Sequence, residues 1–150
     1  MSSILFRAID QTNEEAVKSL RIKKEQEEFI ESVADCLKEA EEVEEWQTVA
    51  IYFDNRLVGF AMYGSFGPNR DTWIDRIIID QAYQGKGFGR AAMLALIDRV
   101  SKLYDVQTIY LSIIETNHAA HHLYTSIGFS YINEKDPNGE LIFKYTKDEG

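Results

Sequence analysis

The chain has 150 residues, 45% of them hydrophobic, a length and composition that suit one compact domain, and we expect residues 1–150 to form it. Its 25 acidic and 16 basic side chains leave a net charge of −9, which repels phosphate backbones and anionic lipid surfaces. We therefore expect no nucleic-acid or membrane partner, although such a charge also serves solubility alone.

The cysteine count and the hydropathy of the chain indicate the cellular compartment in which the protein is expected. Cys36 is the only cysteine, so an intrachain disulfide and a cysteine-based zinc site are excluded. Its spacing from Val33, Leu37 and Ala40 predicts a core position on a helix. No apolar run is long enough to cross a bilayer, and the first residues lack the apolar segment of an export signal. These features together predict a cytoplasmic protein.

The first half of the chain predicts one strand, two helices and a hairpin. The predicted elements are a strand over residues 4–9, a helix from about residue 12 to residue 24, a helix beginning near Ser32, and strands over residues 48–53 and 57–63. Ser32 and Asp35 form a capping-box pattern. Asp54 and Asn55 suit a tight hairpin turn, and residues 64–70 are expected to be a loop.

The second half alternates strands and helices around a glycine-rich loop. The predicted elements are a strand over residues 72–80, a helix after Arg90, a strand over residues 107–113, a short helix over residues 117–126, and two strands that flank the turn at residues 136–139. The strands over residues 72–80 and 107–113 should be parallel, since the helix after Arg90 forms a crossover between them.

The glycine loop is the first functional motif. Residues 84–89 read Gln-Gly-Lys-Gly-Phe-Gly, between a strand and a helix. Such a turn presents unpaired backbone N–H groups beside the positive end of the helix dipole, which favours a phosphate ligand. The glycine spacing differs from the G-x-G-x-x-G dinucleotide fingerprint, and the chain has no G-x-x-x-x-G-K-[ST] loop. A glycine turn without any ligand is the structural alternative.

A second motif separates these alternatives. Residues 117–129 read Asn-His-Ala-Ala-His-His-Leu-Tyr-Thr-Ser-Ile-Gly-Phe, which resembles the N-x-x-A-x-x-x-Y-x-x-x-G-F segment of the GCN5-related N-acetyltransferases. The glycine loop resembles the Q/R-x-x-G-x-G/A loop of the same family. This resemblance implies an α/β fold with a mixed sheet of about six to seven strands and about four helices. It also implies acetyl-CoA as co-substrate, no metal, and frequent homodimers.

The resemblance implies a role for each matching residue of the cofactor site. Backbone groups of Ile77, Ile78 and Ile79 would contact the pantetheine arm, and Asn117 would contact it as well. Tyr124 would also donate a proton to the departing thiolate. The residues implied for the pyrophosphate are Gln84, Gly85, Lys86, Gly87, Phe88, Gly89 and Arg90.

The acceptor is expected to be a primary amine. Segments around residues 57–64, 75–76 and 110–113 resemble bacterial spermine/spermidine N-acetyltransferases. An amine with a pKa near 10 must lose a proton before attack, which costs about 4 kcal/mol at neutral pH. Asp75, just before the cofactor strand, is the candidate base and substrate ligand. A simple ion pair of Asp75 with Arg76 or Arg70 is the alternative.

An acidic segment could bind a polycation. Its acids flank Phe29 and Ile30, and Glu28 and Glu31 are the predicted substrate ligands; the full set is Glu25, Glu27, Glu28 and Glu31. A solvated charge run is the alternative.

Other functions remain open at this stage. His118, His121 and His122 share one helix, but no HExxH or cysteine partner supports a metal site, and two of the three should be exposed. The chain could acetylate another amine, such as an aminoglycoside or a peptide amine. It could also be a non-catalytic coenzyme A-binding sensor, although an intact Tyr124 argues against that.

Overall fold

A computed structural model describes residues 4–21 and 32–147. In chain order its elements are β1 (Ile4–Ala8), α1 (Glu14–Lys18), α2 (Val33–Glu42), β2 (Trp46–Phe53), β3 (Arg56–Phe66), β4 (Asp71–Ile79), a 3₁₀ turn (Gln81–Tyr83), α3 (Phe88–Tyr104), β5 (Thr108–Ile113), α4 (His118–Ile127), β6 (Ser130–Lys135) and β7 (Leu141–Thr146).

Seven strands form one mixed sheet in the order β1-β2-β3-β4-β5-β7-β6. β4 and β5 are parallel, as the strand-loop-helix-strand pattern predicted, and the other neighbouring pairs are antiparallel. The expected mixed sheet is therefore confirmed. The helices in residues 4–21 and 32–147 are all too short or too polar to cross a bilayer.

The two faces of the sheet bury separate cores. On one face α3 packs its apolar stripe, including Met93, Leu96 and Val100, against alternate residues of the strands. On the other face α1 and α2 cover β3 and β2 and bury Val17 and Cys36. Cys36 is fully buried, which confirms its predicted core position.

Turn chemistry explains the β2–β3 hairpin. Asp54 and Asn55 have φ values of 47° and 69°, and two consecutive left-handed residues suit the right-handed twist of the flanking strands. The predicted tight turn is confirmed. Ser32 also acts as predicted, because its side chain accepts a hydrogen bond from the Asp35 N–H at 3.2 Å.

Three predicted boundaries are wrong. α3 begins at Phe88 instead of after Arg90, so the helix includes the last residues of the glycine motif. α1 ends at Lys18, because Arg21 is held at the end of β4: its N–H donates to the Asp80 carboxylate at 2.7 Å, and its carbonyl accepts from the Gln81 N–H at 2.6 Å. The rest of that predicted helix, residues 22–24, lies outside the described residues.

The predicted loop at residues 64–70 is also shorter than expected. β3 runs on to Phe66, since Ser65 and Phe66 pair with Thr72 and Asp71. The Ser65 and Thr72 hydroxyls share a hydrogen bond at 3.0 Å, which joins the two strands near this end.

Candidate active site

The sheet opens between β4 and β5. The parallel ladder of these strands has one register pair, Trp73 opposite Tyr110. Beyond that pair β4 and β5 no longer pair with each other, although β4 still pairs with β3 and β5 with β7. Residues 75–77 and 79 of β4 and residues 111–113 of β5 line clefts there. A ligand that runs alongside this part of β4 would meet the strand's edge, where the carbonyls of Asp75 and Ile79 accept from the Arg76 and Gln84 side chains.

A β-bulge lies at this opening. In β3, Tyr63 faces Ile74 and the adjacent Met62 faces Arg76, so Asp75 is the additional residue of β4. Ile74 and Ile77 can therefore both join the α3-side core although they are three positions apart. A bulge re-aims the side chains beside it, and here it turns Asp75 and Arg76 into the same cleft.

The glycine loop follows β4 directly. Gly85 and Gly87 have φ values of 76° and 86°, a region that glycine adopts without a Cβ penalty. A Cβ at either position would meet no atom within 4 Å, so the surface outside the turn is open. Gly87 is the N-cap of α3, and the N–H groups of the first helical turn face this space. The loop fits a phosphate group at a helix N-terminus.

A cleft of about 260 Å³ joins this loop to α4. The predicted cofactor residues that line it are Ile77, Ile79, Gln84, Gly85, Gly89, Asn117 and Tyr124. The Gln84 side-chain amide donates to the Ile79 carbonyl at 2.8 Å and thereby anchors the loop to the end of β4.

The other predicted cofactor residues lie around the cleft. Ile78 is buried in the opposite core and pairs with Phe60 of β3, so its side chain does not reach the cleft. The Phe88 ring packs edge-on against Phe53 with centroids 4.9 Å apart. Lys86 is exposed on the loop, and the Arg90 guanidinium donates to the Ser126 hydroxyl at 2.7 Å. That contact ties the start of α3 to the last turn of α4.

α4 carries the second motif into the cleft. The Asn117 side chain caps the helix by accepting from the Ala120 N–H at 3.3 Å. Tyr124, two turns later, lies on the same face of the helix and packs edge-on against Phe129. Burial raises the pKa of Tyr124 to about 12, because the phenolate would be poorly solvated there.

A smaller cleft of about 70 Å³ adjoins the first and shares Ile77, Asn117, Ala120 and Tyr124 with it. Asp75, Arg76, Ser112 and Glu140 line it together with Tyr124. Tyr124 therefore borders both the glycine-loop cleft and a charged cleft.

The Asp75 carboxylate lies 3.6 Å from the Arg76 guanidinium, which also donates to the Asp75 carbonyl at 2.7 Å. The ion pair of Asp75 with Arg76, which was the predicted alternative, is therefore present. Asp75 also lies in the cleft, as a general base would have to. Arg70 instead donates to the Tyr104 carbonyl at 3.0 Å.

Ser112 and Glu140 were missed by the sequence analysis. Glu140 follows the predicted turn and is fixed by Asp136: the Asp136 carboxylate accepts from the Glu140 N–H at 2.9 Å, and the Glu140 carbonyl accepts from the Asp136 N–H at 2.9 Å. The Asp-Pro-Asn-Gly sequence signals the turn that precedes Glu140. Only the strand order shows that this turn lies beside β5.

The remaining candidates are the acids of residues 25–31 and the three histidines. Glu25, Glu27, Glu28 and Glu31 lie outside the described residues. His118 and His122 are exposed, as predicted, and the ring of His121 packs edge-on against Phe143. Among residues 4–21 and 32–147, no three His, Cys, Asp or Glu side chains cluster as a metal site would require.

A glycine turn at a helix N-terminus that opens into a cleft between two strands, with a tyrosine in its lining, is the arrangement expected of an acyltransferase that uses a nucleotide-bearing thioester. The sequence profile described as Acetyltransferase (GNAT) family matches residues 9–129. The chain belongs to this family. As its two motifs predicted, it is an acetyl-CoA-dependent N-acetyltransferase.

Individual relatives agree with this assignment. The chain is 40% identical over 146 residues to the spermine/spermidine N(1)-acetyltransferase of Bacillus subtilis, covering 93% of this chain and 96% of that protein. Its fold is similar to the spermidine N-acetyltransferase of Vibrio cholerae, solved with CoA and spermine, at TM-score 0.75 and 17% identity over 96% and 95% of the two chains. It is also similar to the ribosomal-protein-S18-alanine N-acetyltransferase of Escherichia coli, at TM-score 0.69 and 21% identity over 100% and 97%.

Proposed function

We propose that this protein transfers the acetyl group of acetyl-CoA to a primary amine of a polyamine such as spermidine or spermine. The observation that carries the proposal is the position of Tyr124 at the junction of two clefts, one beside the glycine loop and one lined by Asp75 and Glu140. Similarity to a polyamine acetyltransferase at 40% identity supports this choice of acceptor.

The geometry suits a direct transfer between two bound substrates. Acetyl-CoA would place its pyrophosphate on the N–H groups after Gly85 and its pantetheine arm beside Ile77 and Asn117. The amine would enter through the charged cleft and attack the thioester carbonyl. The C–N bond forms, the C–S bond breaks, and the nitrogen loses a proton while the sulfur gains one.

Two side chains are proposed to move these protons. Tyr124 donates its phenolic proton to the sulfur, a role for which a raised pKa keeps it protonated. Asp75 accepts the surplus proton of the amine directly or through one water, since the bulge turns it into the acceptor cleft. Its ion pair with Arg76 holds the carboxylate in a fixed orientation.

Thiol release from acetyl-CoA tests the acceptor class. The panel contains spermidine, spermine, an aminoglycoside and a peptide with a free amino terminus. We expect turnover with the two polyamines and at least tenfold lower kcat/KM with the others. Absence of turnover with both polyamines would reject the polyamine proposal, and binding of coenzyme A without any turnover would favour a sensor.

The acids of residues 25–31 are proposed to bind the distal ammonium groups. Glu28→Gln and Glu31→Gln should then raise KM for spermidine and leave KM for acetyl-CoA unchanged. An unchanged KM for spermidine in both variants would favour a solvated charge run.

We further propose a cytoplasmic homodimer. The single cysteine is buried in α2 and needs no oxidising compartment. β6 forms an edge of the sheet, where a second chain can pair. Light scattering should give twice the mass of the chain, and the mass of one chain would reject the dimer.

A further inference from the structure

Two aromatic rings lie side by side where the β4–β5 ladder ends. The ring centroids of Trp73 and Tyr110 are 5.2 Å apart and the ring planes meet at 32°, an offset and nearly parallel arrangement. Both residues are only partly buried. They form the last register pair before the strands diverge.

Strand alternation places this pair on the face of the sheet opposite α3. Their neighbours Ile74, Ile109 and Leu111 point into the α3-side core, so Trp73 and Tyr110 point to the other face. Among the residues described, α1 and α2 pack on β3 and β2 of that face.

The aromatic pair lies two strand positions before residues of the charged cleft. Asp75 and Ser112 follow Trp73 and Tyr110 by two positions on their strands, and both line the cleft beside Tyr124. Asp71, at the exposed start of β4, precedes Trp73 by two positions. Asp71 and Trp73 thus share one face of β4, with side chains about 6.6 Å apart, and the bulge at Asp75 interrupts the regular alternation beyond them.

We propose that Trp73 and Tyr110 form an aromatic floor that holds the distal arm of a long polyamine while its terminal nitrogen reacts beside Tyr124. This inference rests on the proposed function and deepens it by naming the residues that select acceptor length. The 6.6 Å spacing, about two strand residues, is close to the span of a four-carbon diamine segment.

The chemistry of the floor suits this ligand. Aromatic faces attract ammonium groups, and the intervening methylenes bury apolar area on the same rings. Asp71 places a negative charge at the outer end of the floor, and Asp75, which is paired with Arg76 at 3.6 Å, lies at the inner end. Lys144 of β7 pairs with Tyr110 on the side away from Trp73. Its positive charge repels ammonium groups from that side, which favours a polyamine position nearer β4.

The decisive experiment compares acceptors of different length. Trp73→Leu and Tyr110→Leu are assayed with spermine, spermidine and n-butylamine, which offers one primary amine and no second cation. We expect kcat/KM for both polyamines to fall about tenfold, a typical loss for a desolvated cation–aromatic contact. For n-butylamine it should stay within twofold, and KM for acetyl-CoA should not change.

Matched variants separate recognition from structural damage. Trp73→Phe and Tyr110→Phe keep a ring and should keep at least half of the spermine kcat/KM. Tyr131→Leu removes an exposed ring on β6, outside the floor, and should leave all three acceptors unaffected. An equal fall for spermine and n-butylamine, or no fall for either, would overturn the inference.

Tryptophan emission gives a second test that needs no leucine variant. The chain has two tryptophans. Trp46 packs against Phe66 and pairs with Gly64 of β3, which also pairs with Trp73, so a phenylalanine is used at position 46 to keep a ring beside the floor. In Trp46→Phe, Trp73 is the single emitter, and spermine added with coenzyme A should change its emission saturably, whereas n-butylamine should not. Saturable spermine binding by calorimetry without this change would overturn the floor.

The outcomes for the floor and for the proposed function are distinct. A saturable change in Trp73 emission without turnover of any polyamine would reject the acetylation proposal and keep the floor. Turnover of spermine with unaltered length preference in the leucine variants would keep acetylation and reject the floor. A protein that neither binds nor acetylates spermine would reject both.

Discussion

At the residue scale, Tyr124 combines position with protonation. It borders both clefts, and burial raises its pKa to about 12, so its proton is retained at every pH in ordinary use. Replacing Tyr124 with Phe keeps the ring that packs on Phe129 and removes only the hydroxyl. We expect kcat to fall about 100-fold, the usual contribution of a general acid, with the dissociation constant of acetyl-CoA unchanged within twofold.

Steady-state kinetics and calorimetry check this prediction. Tyr104→Phe is the matched control, because burial and the neighbouring Tyr63 also raise the pKa of Tyr104, but it lies at the end of α3 away from the clefts. Tyr104→Phe should keep full turnover. Full turnover in Tyr124→Phe would remove Tyr124 from the proton donor role.

The same raised pKa predicts how stability depends on alkaline pH. The pKa of Tyr124 is about 10 unfolded and about 12 folded, so its contribution is complete below pH 10 and is lost as pH rises towards 12. Between pH 9 and pH 11.5 the wild type should lose about 1–2 kcal/mol more unfolding free energy than Tyr124→Phe. Urea unfolding at both pH values measures this difference, and parallel losses would contradict the assignment.

At the element scale, the glycine loop requires both its conformation and its open surface. Gly87→Ala places a side chain at a φ of 86°, a strain of about 1–2 kcal/mol, and puts a methyl group on the surface proposed for the pyrophosphate. We expect unfolding free energy to drop by that amount and the dissociation constant of acetyl-CoA to rise at least tenfold.

Gly67→Ala is the matched control for the loop. Gly67 has a φ of 75° with no atom within 4 Å of its Cβ position, but it lies in the β3–β4 turn. It should lose similar stability and keep its acetyl-CoA affinity. Equal weakening of acetyl-CoA binding in both variants would show that strain alone is responsible.

The sequence predicted the elements that depend on local signals. The glycine motif at residues 84–89 and the segment at residues 117–129 each depend on caps and glycines that are close together in sequence. Both lie between the expected elements, although α3 already begins at Phe88 within the glycine motif. The bulge at Asp75 was not predictable, because it depends on the register of β4 against Met62 and Tyr63 of β3. The end of α1 depends in the same way on a distant partner, Asp80.

At the scale of the whole molecule, the strand order decides which residues share the site. β7 inserts between β5 and β6, which brings Glu140 beside Tyr124 and Asp75 although the three are far apart in sequence. Periodicity identifies the strands but not their order, so the sequence predicted the cofactor side of the site more fully than the acceptor side. Asp75 was found through a resemblance, and Glu140 required the fold.

The net charge of −9 predicts how salt affects the two kinds of acceptor. A negative field attracts spermine, which carries several charges, more strongly than n-butylamine, which carries one. The screening length is about 10 Å at 0.1 M salt and about 3 Å at 1 M, so added salt removes most of this attraction. KM for spermine should therefore rise about tenfold between 0.05 M and 0.5 M potassium chloride, whereas KM for n-butylamine should rise less than threefold. Initial rates at saturating acetyl-CoA measure both KM values. An equal rise for the two amines would mean that salt acts on the protein or on acetyl-CoA. The overall field would then have no role in attracting the acceptor.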